Sequence, residues 1–463
     1  MIHLIMRIWT PLLKKEHLLY SCLRSPCFIL QILLALSSFR AFPTDIWPQF
    51  RGPKASGATE NDPRLPSTWS PTENVVWSTE IPGMAWSSPI VWKDKIFLTT
   101  VISEEDTEEP TKGLYFGGER KAVGSSHEWR TMCLDFETAR ILWEKTAHQG
   151  LPYQPKHVKN TYASETPTTD GERVYVYLGQ IGVFAYDMEG HLQWTHPITP
   201  VRMRAHWGTA SSPVLWQDKL FLVNDNEEQS YLLALDKATG RVLWKVDREE
   251  KSNWSTPFVW HGENRTEIVI PGTGRNRSYD LEGNLLWELT GSSAITVPTP
   301  LSAHGLLYLS SGYVADKRRP IFAIKPGAQG DISLTPKQTS HPFIAWVQPQ
   351  AAPYNPSILV YGDYLYVLLD RGYIACYDAK TGEVIYDIQK LSGSKEFTAS
   401  PWAYNGMIFC LSEEGKTHVL RAGPVFETLH TNSLEEMCMA CPAMAHGSLL
   451  IRTEKRLYRL QSR

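Results

Sequence analysis

The 463-residue sequence predicts an all-β fold, an eight-bladed β-propeller of four-stranded antiparallel blades, on three observations. The first is a phrase written twice: SSPIVWKDKIFL at 87–98 returns as SSPVLWQDKLFL at 211–222, identical at eight of twelve positions. The second is the spacing of its proline, which recurs as Pro89, Pro167, Pro213, Pro257, Pro300, Pro356, Pro401 and Pro442. The intervals are 78, 46, 44, 43, 56, 45 and 41 residues, mostly the length of one propeller blade. The third is a surplus strand, NVVWSTEIPG at 74–83, standing before the first proline.

Each blade can be read in order from its proline. A short innermost strand and a turn lead into a second strand: KIFLTTV, RVYVYLG, KLFLVND, TEIVIPG, LLYLSSG, YLYVLLD, MIFCLSE and SLLIRTE. These are rich in β-branched and aromatic residues, as strands are, and lack the 3.6-residue period of helical repeats. Third strands follow (TMCLDF, GVFAYDM, YLLALDK, NRSYDL, PIFAIKP, YIACYDA, THVLRAG, RLYRLQS). Fourth strands close on an aromatic residue. Asp135, Asp236 and Asp378 precede Trp143, Trp244 and Tyr386 by eight residues, and Asp187 and Asp280 precede Trp194 and Trp287 by seven. Asp followed by Gly is hairpin chemistry, and the aromatic is expected to pack between blades. In the long interval after Pro300 a loop, KPGAQGDISLTPKQTSHP, precedes FIAWVQ, with Trp346 in the aromatic slot.

The ends must balance. The chain stops after the eighth third strand, so blade eight lacks its outermost strand, and 74–83 is expected to supply it and close the ring. Residues 74–463 are therefore the propeller, with a polar, Gly-rich insertion at about 101–130 in blade one, and 41–73 an N-terminal arm. Residues 1–40 read as a signal peptide or N-terminal anchor. Arg7, Lys14, Lys15 and Arg24 precede the apolar run SPCFILQILLALSSF at 25–39, short for a membrane span, and Ala35 and Ser37 offer a cleavage site. The chain is expected to be exported, periplasmic or at the cell envelope, touching a membrane only through this segment.

The net charge of −3 falls to −7 without the first forty residues, which disfavours nucleic acid as a partner. Beyond residue 40 stand Cys133, Cys376, Cys410, Cys438 and Cys441, an odd, sparse set that makes no disulfide framework. The fold must be held by its core.

ALDKATGRVLW, CYDAKTGEVIY and the recurrent Ser-Pro openings resemble the quinoprotein-type, or PQQ-like, repeat over residues 74–463. WPQFRGP (47–53), KNTYASETP (159–167), DNEEQSYLLALD (225–236), KSNWSTP (251–257) and RTEKRLY (452–458) look like an exported bacterial group of these propellers. The resemblance implies two functions. One is a non-catalytic binding or scaffold module for a protein or carbohydrate partner, as in the outer-membrane assembly scaffold propeller. The other is a dehydrogenase of alcohols or sugars that holds PQQ and calcium at the axial mouth. The dehydrogenases' adjacent cysteine pair is missing, and Pro442 after Cys438-Met-Ala-Cys441 breaks a haem motif. No catalytic or metal-binding residue carries over.

A site, if built, would gather residues just before the marker prolines, where innermost strands open on the channel mouth. These are Trp86 in blade one; Asn160, Tyr162 and Glu165 in blade two; His206 and Trp207 in blade three; Asn253 and Trp254 in blade four; and Tyr354 and Asn355 in blade six. Such residues suit a small polar ligand or Ca²⁺; equally, the aromatics could plug the channel while Asn and Glu bond backbone. Arg275 and Arg277 read as a carboxylate clamp or a surface hairpin. Asp225, Asn226, Glu227 and Glu228 resemble a cation cluster but lack calcium-loop spacing and read as a solvated turn. Cys438 and Cys441 read as structural thiols rather than a redox or zinc pair.

Overall fold

In the computed structural model the described residues are 45–463, apart from 106–107, 115–119, 121–122, 263, 336–337 and 339. The expected signal peptide or anchor, the start of the arm and parts of the blade-one insertion lie outside them. Residues 44–463 form one compact unit.

Eight antiparallel sheets stand in sequence order, one for each proline marker. Blade three is representative: Val214–Trp216, Lys219–Asn224, Ser230–Asp236 and Val242–Arg248 run from the channel outwards. The last blade consists of Ala443–Ala445, Ser448–Arg452 and Arg456–Leu460, and its outermost strand is Val75–Glu80. Val75 pairs with Leu460 and Glu80 with Arg456, so the first propeller strand closes the ring as the strand count predicted.

The Ser/Thr-Pro marker has a physical cause visible only in the round. At six of the eight joints a backbone N–H beside the marker proline donates to the side chain beside the next blade's marker proline. The residue concerned precedes the proline except in blade six, where Ser357 follows Pro356. Ser88 donates to Thr166 (3.0 Å), Thr166 to Ser212 (2.9 Å) and Ser212 to Thr256 (3.1 Å). The series resumes with Thr299 to Ser357 (3.0 Å), Ser357 to Ser400 (2.8 Å) and Ser400 to the Cys441 thiol (3.2 Å). At blades four and five, Ser255 Oγ to the Pro298 carbonyl (2.8 Å) serves instead. Between blades eight and one the buried Arg452 donates to the Ser87 carbonyl and hydroxyl and to the Thr99 carbonyl. Buried backbone donors are thereby matched at six joints and buried carbonyls at the other two.

The closing aromatics join the blades at the outside. Trp77, Trp143, Trp194, Trp244 and Trp346 each donate the indole N–H to the carbonyl just after the hairpin aspartate of the next blade: Phe136, Met188, Lys237, Leu281 and Ala379, at 2.9–3.0 Å. Pairing of the third and fourth strands shifts register at the entrance to the fourth in every blade, as at Leu192/Trp194 and Ala234/Leu235. Such a bulge re-aims the side chain that follows, here the Trp, inwards. Gly240 (φ +71°) shows why the hairpin wants glycine: a Cβ there would stand 2.4 Å from the Trp194 ring.

Trp287 departs from this rule. Blade five has no Asp-Gly hairpin, and its loop instead lays Gly330–Asp331 parallel to the outer strand of blade four. The Trp287 N–H turns to the Glu267 carboxylate at 2.7 Å.

The arm runs along the far end of the channel from the candidate residues. Ile46–Trp47 pairs with the end of the innermost strand of blade one, and the Pro48 carbonyl accepts from Thr169 in blade two. Arg51 then crosses to the Ile358 (3.0 Å) and Pro401 (3.3 Å) carbonyls of blades six and seven. Its hydrogen-bond partners are all carbonyls, and burial lowers the guanidinium to about 10 against a smaller opposing effect of the Cys441 thiol.

Candidate functional site at the axial mouth

The innermost strands begin at one mouth, and what the candidate residues do there follows from their partners. Trp86 is buried and donates its indole N–H to the Lys159 carbonyl at 2.9 Å. Asn160 donates to the Trp207 and Thr209 carbonyls (2.9 and 3.1 Å) and accepts from Thr161 N–H and Ser164 Oγ. Tyr162 donates its hydroxyl to the Gln154 carbonyl at 3.2 Å. Glu165 is buried, accepts from Gly179 N–H at 3.3 Å, and is raised above the usual carboxylate range by burial. Asn253 donates to Asp225 Oδ2 (3.1 Å) and to the Pro271 carbonyl. Asn355 offers its backbone N–H to Asp370 Oδ1 at 2.9 Å.

Three candidates do converge. Trp207 and Trp254 lie 5.7 Å apart between ring centroids, and with Met203 and Ile295 they form one apolar cluster against which Tyr313 and Tyr354 pack, 5.2 Å from each other. Trp254 also donates to the Gly208 carbonyl at 2.8 Å. His206 is not among them: it is exposed on the short turn Arg204–His206 with φ +55°.

Polar residues that sequence reasoning missed complete the mouth. Lys159 of blade two reaches to blade seven, where Nζ meets Glu413 Oε1 (2.5 Å) and Thr398 Oγ1 (2.8 Å), with Glu413 1% exposed. The other Glu413 oxygen accepts from Gly113 N–H at 2.8 Å, and Thr111 N–H bonds the Val158 carbonyl, so residues 111–113 of the blade-one insertion reach the same mouth. Asp370, buried, accepts from the N–H groups of Tyr354 and Asn355 (2.9 Å each), and burial raises it above the usual range. A signal was present. Asp225, Asp370, Glu413 and Glu454 each stand seventh in their second-strand segments, KLFLVND, YLYVLLD, MIFCLSE and SLLIRTE.

The 225–228 turn is not solvated throughout: Asp225 and Asn226 are buried, and Asp225 takes a bidentate grip from the buried Arg248 (2.9 and 3.1 Å). Arg277 clamps a carboxylate of its own chain, Glu250, at 2.9 Å, and Arg275 pairs with Glu288. Cys438 and Cys441 are buried and unbridged, and burial pushes the Cys438 thiol well up.

A quinone held over a cation would need convergent acidic and amide donors. Among the described residues no three His, Cys, Asp or Glu side chains gather to hold a metal ion. Glu165, Asp370 and Glu413 already answer backbone N–H groups or Lys159, and aromatic rings fill the space between blades three and six. The residues present do not fit such a cofactor.

The fold and its inter-blade joints define the class, an eight-bladed β-propeller. A family model described as outer membrane protein assembly factor BamB matches residues 67–229, roughly a third of the chain. Among solved structures, BamB from Moraxella catarrhalis superposes with a TM-score of 0.55 at 12% identity, covering 84% of this chain and 99% of its own. The quinohemoprotein alcohol dehydrogenase from Comamonas testosteroni superposes at 0.59 and 10% identity, covering 91% and 81%. At such identities the likeness is one of fold. No curated protein sequence matches the chain. No helix among the described residues is long and apolar enough to cross a membrane.

Proposed function

We propose that the chain is a non-catalytic scaffold propeller of the cell envelope that binds a protein partner. The observation that carries this reading is the mouth, closed by the chain's own Lys159–Glu413 bridge and aromatic cluster. The rim, by contrast, is open and apolar at a repeated position. Leu192, Val242, Leu285 and Val384, each two residues before a closing aromatic, are 43–54% exposed. Exposed aliphatics set at one level around a rim suit a protein surface.

The test compares wild type with a Leu192→Glu, Val242→Glu, Leu285→Glu variant in cross-linking from native envelopes. The variant should lose a cross-linked partner that wild type retains. A parallel titration with pyrroloquinoline quinone and Ca²⁺, followed by Trp fluorescence, should show no saturable quenching. Saturable, Ca²⁺-dependent quenching would replace the scaffold with a dehydrogenase.

A further inference from the structure

A cavity of about 250 Å³ lies under the blade-one insertion, lined by residues of that insertion and of blades one and two. It is smaller than the ~300–1,000 Å³ of pockets for drug-sized ligands, and so suits a molecule of amino-acid size.

Its deep wall holds two groups with unused capacity. Lys156 is 8% exposed, and among the described residues its ammonium donates to the Glu108 carbonyl alone, at 3.1 Å. Among the described residues no carboxylate stands within ion-pair distance of it, although Glu108 and Arg120 act on it through space. A buried ammonium with free N–H groups asks for an anion. His127 is 3% exposed, with Nδ1 3.0 Å from the Ser125 carbonyl. A carbonyl only accepts, so Nδ1 carries the proton and Nε2, which has no partner among the described residues, presents a lone pair. Burial lowers both groups below their ordinary values.

The remaining walls supply other chemistry. The Tyr162 ring, 5.2 Å from His127, lies with Met84 and Val101 along the apolar side. Glu105, Glu108 and Glu109 line the cavity and are exposed, which places negative charge at its entrance.

We propose that this cavity binds a small zwitterion of the amino-acid class, with its carboxylate on Lys156 and its ammonium towards His127 Nε2 and the entrance glutamates. An apolar side chain would lie along Tyr162. The site is independent of the scaffold reading.

Calorimetric titration of the full chain with leucine, isopentylamine and 4-methylpentanoate separates the two charges. Leucine should bind, and each singly charged analogue should bind about tenfold more weakly or worse. Lys156→Gln should weaken leucine by about tenfold with an unchanged melting temperature. If that variant does not fold, His127→Gln takes its place with the same expectation. The proposal is overturned if none of glycine, leucine and glutamate binds up to roughly 10 mM, if either analogue matches leucine, or if the folded variant binds as wild type does.

Discussion

The smallest unit that explains this propeller is one hydroxyl. A Ser, Thr or, once, Cys side chain flanking the marker proline accepts the N–H arriving from the preceding blade at six of the eight joints, and these bonds tie the innermost strands together. Ser400 both accepts from Ser357 and donates to Cys441. Ser400→Ala removes the acceptor and leaves a buried N–H unmatched, a loss of about 1–3 kcal/mol. Urea unfolding should show this as a lowered midpoint with an unchanged slope. Ser400→Cys should lose less, because a thiol already serves at the equivalent Cys441. The marker was legible in the sequence as a residue type; its purpose was not, because donor and acceptor lie about a blade apart along the chain.

At the scale of the strand, the outermost element is where local sequence and neighbouring blade meet. A bulge turns the closing Trp inwards, its N–H finds the next blade's turn, and a hairpin glycine makes room for the ring. Trp194→Phe keeps most of the packing and loses the bond to the Lys237 carbonyl, so about 1 kcal/mol of stability should go. Gly240→Ala should cost more, since the new methyl meets that same ring and φ is +71°. Thermal unfolding of both variants against wild type checks the order, and a smaller loss in Gly240→Ala would contradict the docking account. The Asp-to-aromatic spacing was readable because hairpin chemistry is local. The Trp287–Glu267 bond was not, since it answers the missing hairpin of blade five.

At the scale of the whole molecule the ring is closed by pairing its beginning with its end. A chain lacking residues 74–83 would expose the edge of Arg456–Leu460 and the apolar interior beside Tyr458 and Leu460. Such an edge is a template for intermolecular pairing. Size-exclusion chromatography should therefore find oligomers and aggregate where the intact chain elutes as one species, and a well-behaved shortened chain would refute the role of that strand. Arg51 and the residues around it add a second closure, at the far end of the channel, through carbonyls of blades six and seven.

The amino-acid sequence by itself determined the number of blades, the order of strands in each and the strand that closes the ring. Those properties rest on period-two alternation, turn residues and a count of strands, all of which act over a few residues or repeat regularly. Only the tertiary structure decided what the channel mouth contains. Lys159 and Glu413 are 254 positions apart, Arg51 and Pro401 350, and nothing in either neighbourhood names the other. A buried charge takes the partner that the closed ring brings within reach, and that reach exists only once all eight blades are in place.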